Sequence, residues 1–262
     1  MTVINLGIVF IIGVVAALGL YAYARQRHFY AVVDLLWSGG VLALAMWLWV
    51  LTDGEPLRAV VALLITAVWS IRLSWHIFHD RVLPGKDDGR YQNLLEHWGD
   101  AGPGRFIYVF LAQVPTAFAF SVPIYVAMAN PVPGFRWVDG LGVFIALLAV
   151  FGERTADVQL AGFRQNPANK GRVCQVGLWR YSRHPNYFFE FLFWFSYVAL
   201  AWGSELFLLS LLGVALMYVF LNYVSGIPHT ERQAIASRGD SYREYQQTTS
   251  AFFPWIPRKP QA

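Results

Sequence analysis

The chain alternates between long apolar runs and short polar connections. Seven runs approach twenty residues, the length that an α-helix needs to cross a hydrocarbon core about 30 Å thick. They cover approximately residues 3–24, 29–51, 57–79, 105–129, 138–161, 186–202 and 205–224. The first run has neither a basic stretch before it nor a small-residue cleavage site after it, so we interpret it as a retained helix rather than a signal peptide. The pattern predicts a single all-α integral membrane domain over residues 1–262, with about seven transmembrane helices.

The composition agrees with this pattern. Of 262 residues, 56% are hydrophobic and 14% are charged, compared with about 45–50% and about 25% in globular proteins. These values argue against a disordered chain, a coiled coil and an ordinary soluble enzyme. The single cysteine, Cys174, permits neither an internal disulfide nor a cysteine metal cluster.

The basic residues predict the orientation in the membrane, because cytoplasmic connections carry an excess of Lys and Arg. With the N-terminus outside and the C-terminus in the cytoplasm, sixteen of the twenty Lys and Arg residues lie on or next to the cytoplasmic side. Only Arg58 and Arg136 then lie outside, while Arg72 and Arg154 lie within runs. This asymmetry accounts for the net charge of +4 without nucleic acid as a partner.

The early runs contain ionisable residues, which are costly in a membrane and usually face a cavity or a partner. Asp34 and Trp37 lie early in the second run, and Arg72 and His76 lie one helical turn apart in the third. Either Asp34 pairs with Arg72 across two helices, or these residues form a polar patch that binds a substrate oxygen in an apolar pocket. The stretch 76–80 contains two histidines and an aspartate, but no second histidine cluster accompanies it, so we expect no metal site.

The later part of the chain carries a second group of candidates. Glu153, Asp157 and Arg164 recur at helical spacing on one stripe, which is either a ladder of salt bridges or a face that binds a ligand. Farther along, Pro185 fits the first turn of a helix. The basic residues that precede Pro185, together with the positive end of the helix dipole, favour an anionic ligand such as a phosphate. Anchoring to lipid headgroups is the alternative.

These residues resemble motifs of the steroid 5α-reductase superfamily, particularly of a bacterial branch long catalogued as a domain of unknown function. The matching motifs are Asp34-x-x-Trp-Ser-Gly39, Arg72-Leu-x-x-His76-Ile, Asp88-x-Arg-Tyr91, Glu153-x-x-x-Asp157-x-Gln159, Gly177-x-Trp-x-Tyr-Ser-Arg-His-Pro-Asn-Tyr187 with Glu190, and Ser225-Gly-Ile-Pro followed by Tyr242-x-x-Tyr245 and Phe253-Pro254. The resemblance covers nearly the whole chain. Its Arg-His-Pro-x-Tyr core is also similar to that of isoprenylcysteine carboxyl methyltransferases.

The resemblance implies that NADPH is bound by the last three helices (about 138–262) and that an apolar substrate cavity lies among the first four (about 1–129). Together with the residues singled out above, it identifies as candidate cofactor-binding residues Arg90, Tyr91, Glu153, Asp157, Arg164, Arg172, Arg180, Tyr181, Arg183, His184, Asn186, Tyr187, Glu190, Glu231 and Tyr242. Arg172 occupies a position suited to the 2′-phosphate. Phe189 stands where the family usually has a glycine.

The activity that the resemblance implies is reduction of the C=C bond of an α,β-unsaturated ketone in a lipophilic, steroid-like substrate. His76 would bind the carbonyl oxygen, on which negative charge develops. Asp34 would orient His76, Arg72 would supply positive charge, and Trp37 completes the candidate catalytic set. The steroid enzymes have a Gln-Glu pair and a Tyr in these regions, so steroid specificity is left open.

Two other functions are the alternatives: a membrane methyltransferase that uses S-adenosylmethionine, and a lipid-binding or transport bundle without catalysis. We expect a monomer in a bacterial inner membrane, with the cofactor site facing the cytoplasm.

Overall fold

A computed structural model describes residues 3–259 and is entirely helical in its regular structure, with no β-strand in that range. Its α-helices are α1 (Val3–Arg27), α2 (Val32–Leu51), α3 (Pro56–Ile77), α4 (Gly89–Trp98), α5 (Gly102–Met128), α6 (Trp137–Gln165), α7 (Pro185–Phe193), α8 (Phe195–Leu200), α9 (Phe207–Val219), α10 (Ile227–Arg238) and α11 (Asp240–Thr248). Short π-helices, Phe78–Val82 and Phe220–Val224, follow α3 and α9.

Within the described residues, five helical stretches are long and apolar enough to cross a membrane. They are Ile4–Arg27, Val32–Leu51, Pro56–Val82, Gly89–Met128 and Phe207–Arg238. These stretches contain the first four predicted runs, apart from one to three residues at their ends, and most of the seventh. The chain is therefore a multi-pass membrane protein by length and composition. The fifth run forms the 29-residue helix α6. This helix is not among the five membrane-crossing candidates, because it contains charged residues such as Glu153 and Arg154.

The sixth run differs from the expected single helix. It is divided at Trp194 into α7, of nine residues, and α8, of six. Around the break, the buried rings of Phe193, Trp194 and Tyr197 pack on one another with centroid separations of 5.6–6.1 Å. The apolar pattern does not predict this break, because the residues on both sides of it are equally apolar.

The chain folds into two compact units. The first contains the residues up to Arg136 together with Leu200–Gly213, and the second contains Trp137–Ala199 together with the residues from Val214 onward. In the first unit α5 packs against α1, α2 and α3. Its core includes Tyr30, whose ring stacks on Phe106 at a centroid separation of 4.1 Å.

In the second unit α6 packs closely against α7. A Cβ atom on Gly152 would lie 2.3 Å from the ring of Phe189, so the absence of a side chain at Gly152 makes room for this ring. The polar tail forms two helices, α10 and α11, which meet at Gly239 with a positive φ of 57°. α10 and α11 pack against each other.

Candidate functional site

Two carboxylates and two guanidinium groups form a closed ring of ion pairs in the first unit. The Asp34 carboxylate lies 2.6 Å from Arg81 and 2.9 Å from Arg90. The Asp88 carboxylate lies 2.7 Å from Arg81 and 3.0 Å from Arg90. Tyr91 also donates its hydroxyl to Asp34, at 2.5 Å. The ring therefore joins the start of α2 to the π-helix that contains Arg81 and to the start of α4.

The electrostatics of the ring favour the charged form of Asp88. Burial alone would raise the pKa of Asp88, but the neighbouring Arg90 and Arg81 outweigh burial and hold the pKa of this carboxyl below its ordinary value. Asp34 was predicted to be catalytic, and Arg90 and Tyr91 to bind the cofactor. The structure brings these three residues into direct contact. It adds Arg81, which we did not identify from the sequence and which lies 47 residues from Asp34.

The remaining catalytic candidates lie on α2 and α3 of the same unit. His76 lies 3.7 Å from Asp80, one helical turn farther along, and its side chain is 37% exposed. Trp37 packs edge-on against Trp69, at a centroid separation of 5.4 Å. Arg72 is half-buried on α3. The carboxylate seen beside His76 is therefore that of Asp80, whereas Asp34 belongs to the ring of ion pairs.

In the second unit, Asp157 of the predicted stripe on α6 contacts α7. Asn186 donates its side-chain amide to Asp157 at 3.3 Å and accepts the backbone N–H of Tyr187 at 3.0 Å. Glu153 on α6 and Glu190 on α7 are both buried. As predicted, Pro185 occupies the first turn of α7. Two helices that pack against each other thus carry the four residues that match the family motifs: Glu153, Asp157, Asn186 and Glu190.

The segment before α7 is held by the C-terminal tail. The Arg183 guanidinium donates to Glu231 at 2.6 Å and to the carbonyl oxygens of Gln246 and Thr249 at 3.1 and 2.6 Å. Gln246 donates to the second carboxylate oxygen of Glu231 at 2.9 Å. The Tyr245 hydroxyl donates to the carbonyl of Trp179. Arg183 and Glu231 therefore link this segment to α10 and α11.

His184 belongs to the same group of residues. It lies 3.4 Å from Glu231 and stacks on Tyr187 at a centroid separation of 5.3 Å. Burial lowers the pKa of the His184 imidazole below its ordinary value, although the hydrogen bond to Glu231 opposes the shift. Burial also raises the pKa of Tyr242 to about 12. Both shifts favour the uncharged forms of these two side chains.

A basic cavity of about 120 Å³ lies at the C-terminal end of α6, bounded by the loop that follows it and by α10. Its cationic lining residues are Arg164, Lys170, Arg172 and Arg238. Cys174 and apolar side chains of α6 contribute to the wall, and none of the described lining residues is acidic. The Arg238 side chain donates to the carbonyl of Arg172 at 3.1 Å, which ties α10 to the loop.

The basic cavity unites two of the predicted cofactor residues, Arg164 and Arg172, with two that we did not propose as ligands, Lys170 and Arg238. Arg238 lies 66 residues after Arg172, so no local pattern indicates that they are neighbours. Two other predicted cofactor residues, Arg180 and Tyr181, are exposed and do not line this cavity. In the described part of the chain, no three or more His, Cys, Asp or Glu side chains are grouped to hold a metal ion.

Comparison with known proteins identifies a family but no activity. Neither the curated proteins nor the solved structures contain a match to this chain. A family model described as a protein of unknown function, DUF1295, matches residues 20–249. This match includes both the ring of ion pairs and the basic cavity, and the chain therefore belongs to the DUF1295 family.

Proposed function

We propose that the chain is an NADPH-dependent membrane reductase that acts on the C=C bond of an α,β-unsaturated ketone in a lipophilic, steroid-like substrate. The observation that carries the proposal is the basic cavity with its four cationic side chains. Guanidinium groups bind phosphate through charge-assisted and often paired hydrogen bonds. A cofactor with several phosphate groups therefore fits this donor set.

Residues on α6 outside the cavity could bind other parts of the same cofactor. Asp157 precedes Arg164 by seven residues, which corresponds to about 10 Å along a helix. Its hydrogen-bonded partner Asn186 adds an amide that both donates and accepts. Arg164, Lys170, Arg172 and Arg238 would hold the phosphates, and the Asp157–Asn186 pair would bind the hydroxyl or amide groups of the cofactor. NADPH supplies the hydride when it is bound, while the protein supplies orientation and electrostatics.

On the substrate side, His76 would donate a hydrogen bond to the carbonyl oxygen, where negative charge develops during the reduction. Asp80, 3.7 Å from the imidazole, would orient the ring. The role first expected of Asp34, orienting His76, therefore passes to Asp80. Asp34 would instead position Arg90 and Tyr91, which it contacts directly.

We further propose that α6 and the α7–α8 pair complete seven membrane crossings, with the N-terminus outside and the basic cavity facing the cytoplasm of a bacterium. A helix of 29 residues is about 43 Å long, which exceeds the thickness of the hydrocarbon core. A membrane-impermeant thiol reagent should label Ser241→Cys, in a Cys174→Ser background, from the cytoplasmic face of membrane vesicles. Labelling from the opposite face would contradict this orientation.

Cys174 provides a direct test of the cofactor site, because the only thiol in the chain lies in the wall of the basic cavity. Burial raises the pKa of this thiol, so the alkylation rate should be measured at alkaline pH, where the reactive thiolate forms. Saturating NADPH should slow alkylation of the purified protein, as followed by intact mass. An unchanged rate would refute a nucleotide in the cavity.

Matched variants sharpen this test. Arg172→Ala should weaken the protection by NADPH, whereas Arg243→Ala removes an exposed arginine outside the cavity, one paired with Asp240 at 2.7 Å, and should leave protection intact. S-adenosylmethionine should not protect, because its sulfonium and ammonium groups are cationic and would be repelled by the cavity wall. Protection by S-adenosylmethionine but not by NADPH would favour the methyltransferase. Oxidation of NADPH with a panel of enone lipids then identifies the substrate.

A further inference from the structure

The C-terminal segment, residues 252–259, presents apolar side chains on the surface of the second unit. The exposed fractions of Phe253, Trp255 and Ile256 are 52%, 73% and 76%. Trp255 and Ile256, together with Tyr181 and Pro254, line a groove of about 230 Å³, named the C-terminal groove below. This segment lies outside the five membrane-crossing candidates, where large apolar side chains that are exposed side by side mark an interaction surface.

The backbone beneath this groove is held in place. Three hydrogen bonds fix it: from the Ser182 hydroxyl to the Phe252 carbonyl at 2.9 Å, from the Trp255 N–H to the Tyr181 carbonyl at 2.9 Å, and from the Arg258 N–H to the Thr248 carbonyl at 2.7 Å. Phe252 is buried and its ring packs against Phe191 and Phe188. Pro254 and Pro257 restrict φ within the segment. The apolar side chains are therefore displayed by an ordered backbone.

Positive charge flanks the groove. Arg180 precedes Tyr181, and Arg258 and Lys259 follow the apolar residues; all three cations are exposed. No acidic residue follows Glu244 in the sequence. Trp and Tyr rings favour the membrane–water interface, and neighbouring Lys and Arg are attracted to anionic lipid headgroups. Aromatic groups beside exposed cations are thus complementary to an anionic membrane surface.

We infer that the C-terminal groove binds an anionic phospholipid, whose upper acyl region contacts Trp255 and Ile256 and whose phosphate lies beside Arg258 and Lys259. The five membrane-crossing candidates place the chain in a lipid environment. The charge pattern selects the anionic headgroup over a neutral one. This inference does not depend on NADPH binding, because none of the residues that line the groove lines the basic cavity.

The test uses the full chain in nanodiscs, with Cys174→Ser as background and an environment-sensitive NBD probe on Ile256→Cys. Nanodiscs are made from POPC alone or from POPC mixed with POPG, with a trace of lipid that carries a nitroxide near the headgroup. A probe on Ser241→Cys, an exposed position on the polar helix α11, is the matched control. Because Ile256 is 76% exposed, its replacement leaves the packing of the protein intact.

We expect the probe at position 256 to emit at shorter wavelength and to be quenched roughly twofold more with POPG than with POPC alone, because anionic lipid is recruited by the cations. Arg258→Gln with Lys259→Gln should abolish this difference. Emission at position 256 that matches the control in both membranes would overturn the inference. Equal quenching in both membranes would overturn its anionic selectivity. Disulfide formation between two copies through position 256 would also overturn it, in favour of self-association.

Discussion

The contact between Arg183 and Glu231 should be a major source of stability in the second unit. The two side chains are 9% and 16% exposed, and Arg183→Ala removes a charged hydrogen bond together with two bonds to backbone carbonyls. Breaking a buried ion pair by removing one partner costs about 3–5 kcal/mol. Because Glu231 keeps its hydrogen bond from Gln246, we expect the lower end, about 3 kcal/mol.

Thermal unfolding in detergent measures this loss. A fluorogenic maleimide that reacts with the buried Cys174 reports opening of the second unit, and Arg183→Ala should lower the apparent melting temperature by several degrees. Arg243→Ala serves as the matched control, because its ion pair with Asp240 is between side chains that are 59% and 90% exposed. Pairs of this kind contribute little to stability, so its melting curve should be unchanged.

A double-mutant cycle distinguishes a specific pair from general damage. Glu231→Ala should also destabilise the protein, but the double variant should lose about 2 kcal/mol less than the sum of the single losses, because neither charge is then left without its partner. Losses that simply add in the double variant would refute the proposed coupling between the two side chains.

Three further predictions concern other parts of the chain. Gly177→Ala should destabilise the second unit, because φ is +56° and the new Cβ would lie 2.4 Å from the Gln159 side chain; a further Gln159→Ala change should restore part of the melting temperature by removing the clash but not the backbone strain. The pKa of Asp88 is lowered in the folded protein, so the ionised carboxylate stabilises the fold at pH values above its unfolded pKa of about 4. This stabilisation is lost as the pH falls through the folded pKa. Asp88→Asn should therefore flatten the acid limb of a stability–pH curve. Arg58→Ala should destabilise the first unit more than any exposed arginine, because this fully buried side chain donates to three carbonyls of the 130–134 loop; a melting curve equal to that of the parent would contradict this role.

Several features were accessible from the sequence because they depend on local physics. In a bilayer, backbone groups must be satisfied within the segment, so long apolar runs become helices. The positions of α1, α2, α3 and α5 follow the apolar runs closely, and Pro185 begins α7 as its missing N–H suggests. The helical stripe that contains Asp157 and Arg164 also follows from spacing alone, because residues seven apart lie on one face of a helix.

Other features depend on which distant side chains meet, and only the tertiary structure shows them. Asp34 pairs with Arg81 and Arg90, which lie 47 and 56 residues later in the chain. Arg238 lines a cavity whose other cations lie some 70 residues earlier. The break at Trp194 lies among packed aromatic rings, and an apolar pattern does not distinguish it from a continuous helix. Periodicity indicates the face of a helix on which a residue lies, whereas its partner depends on how the helices pack. Local patterns therefore indicate most of the helices, and helix packing sets the ion pairs and the basic cavity.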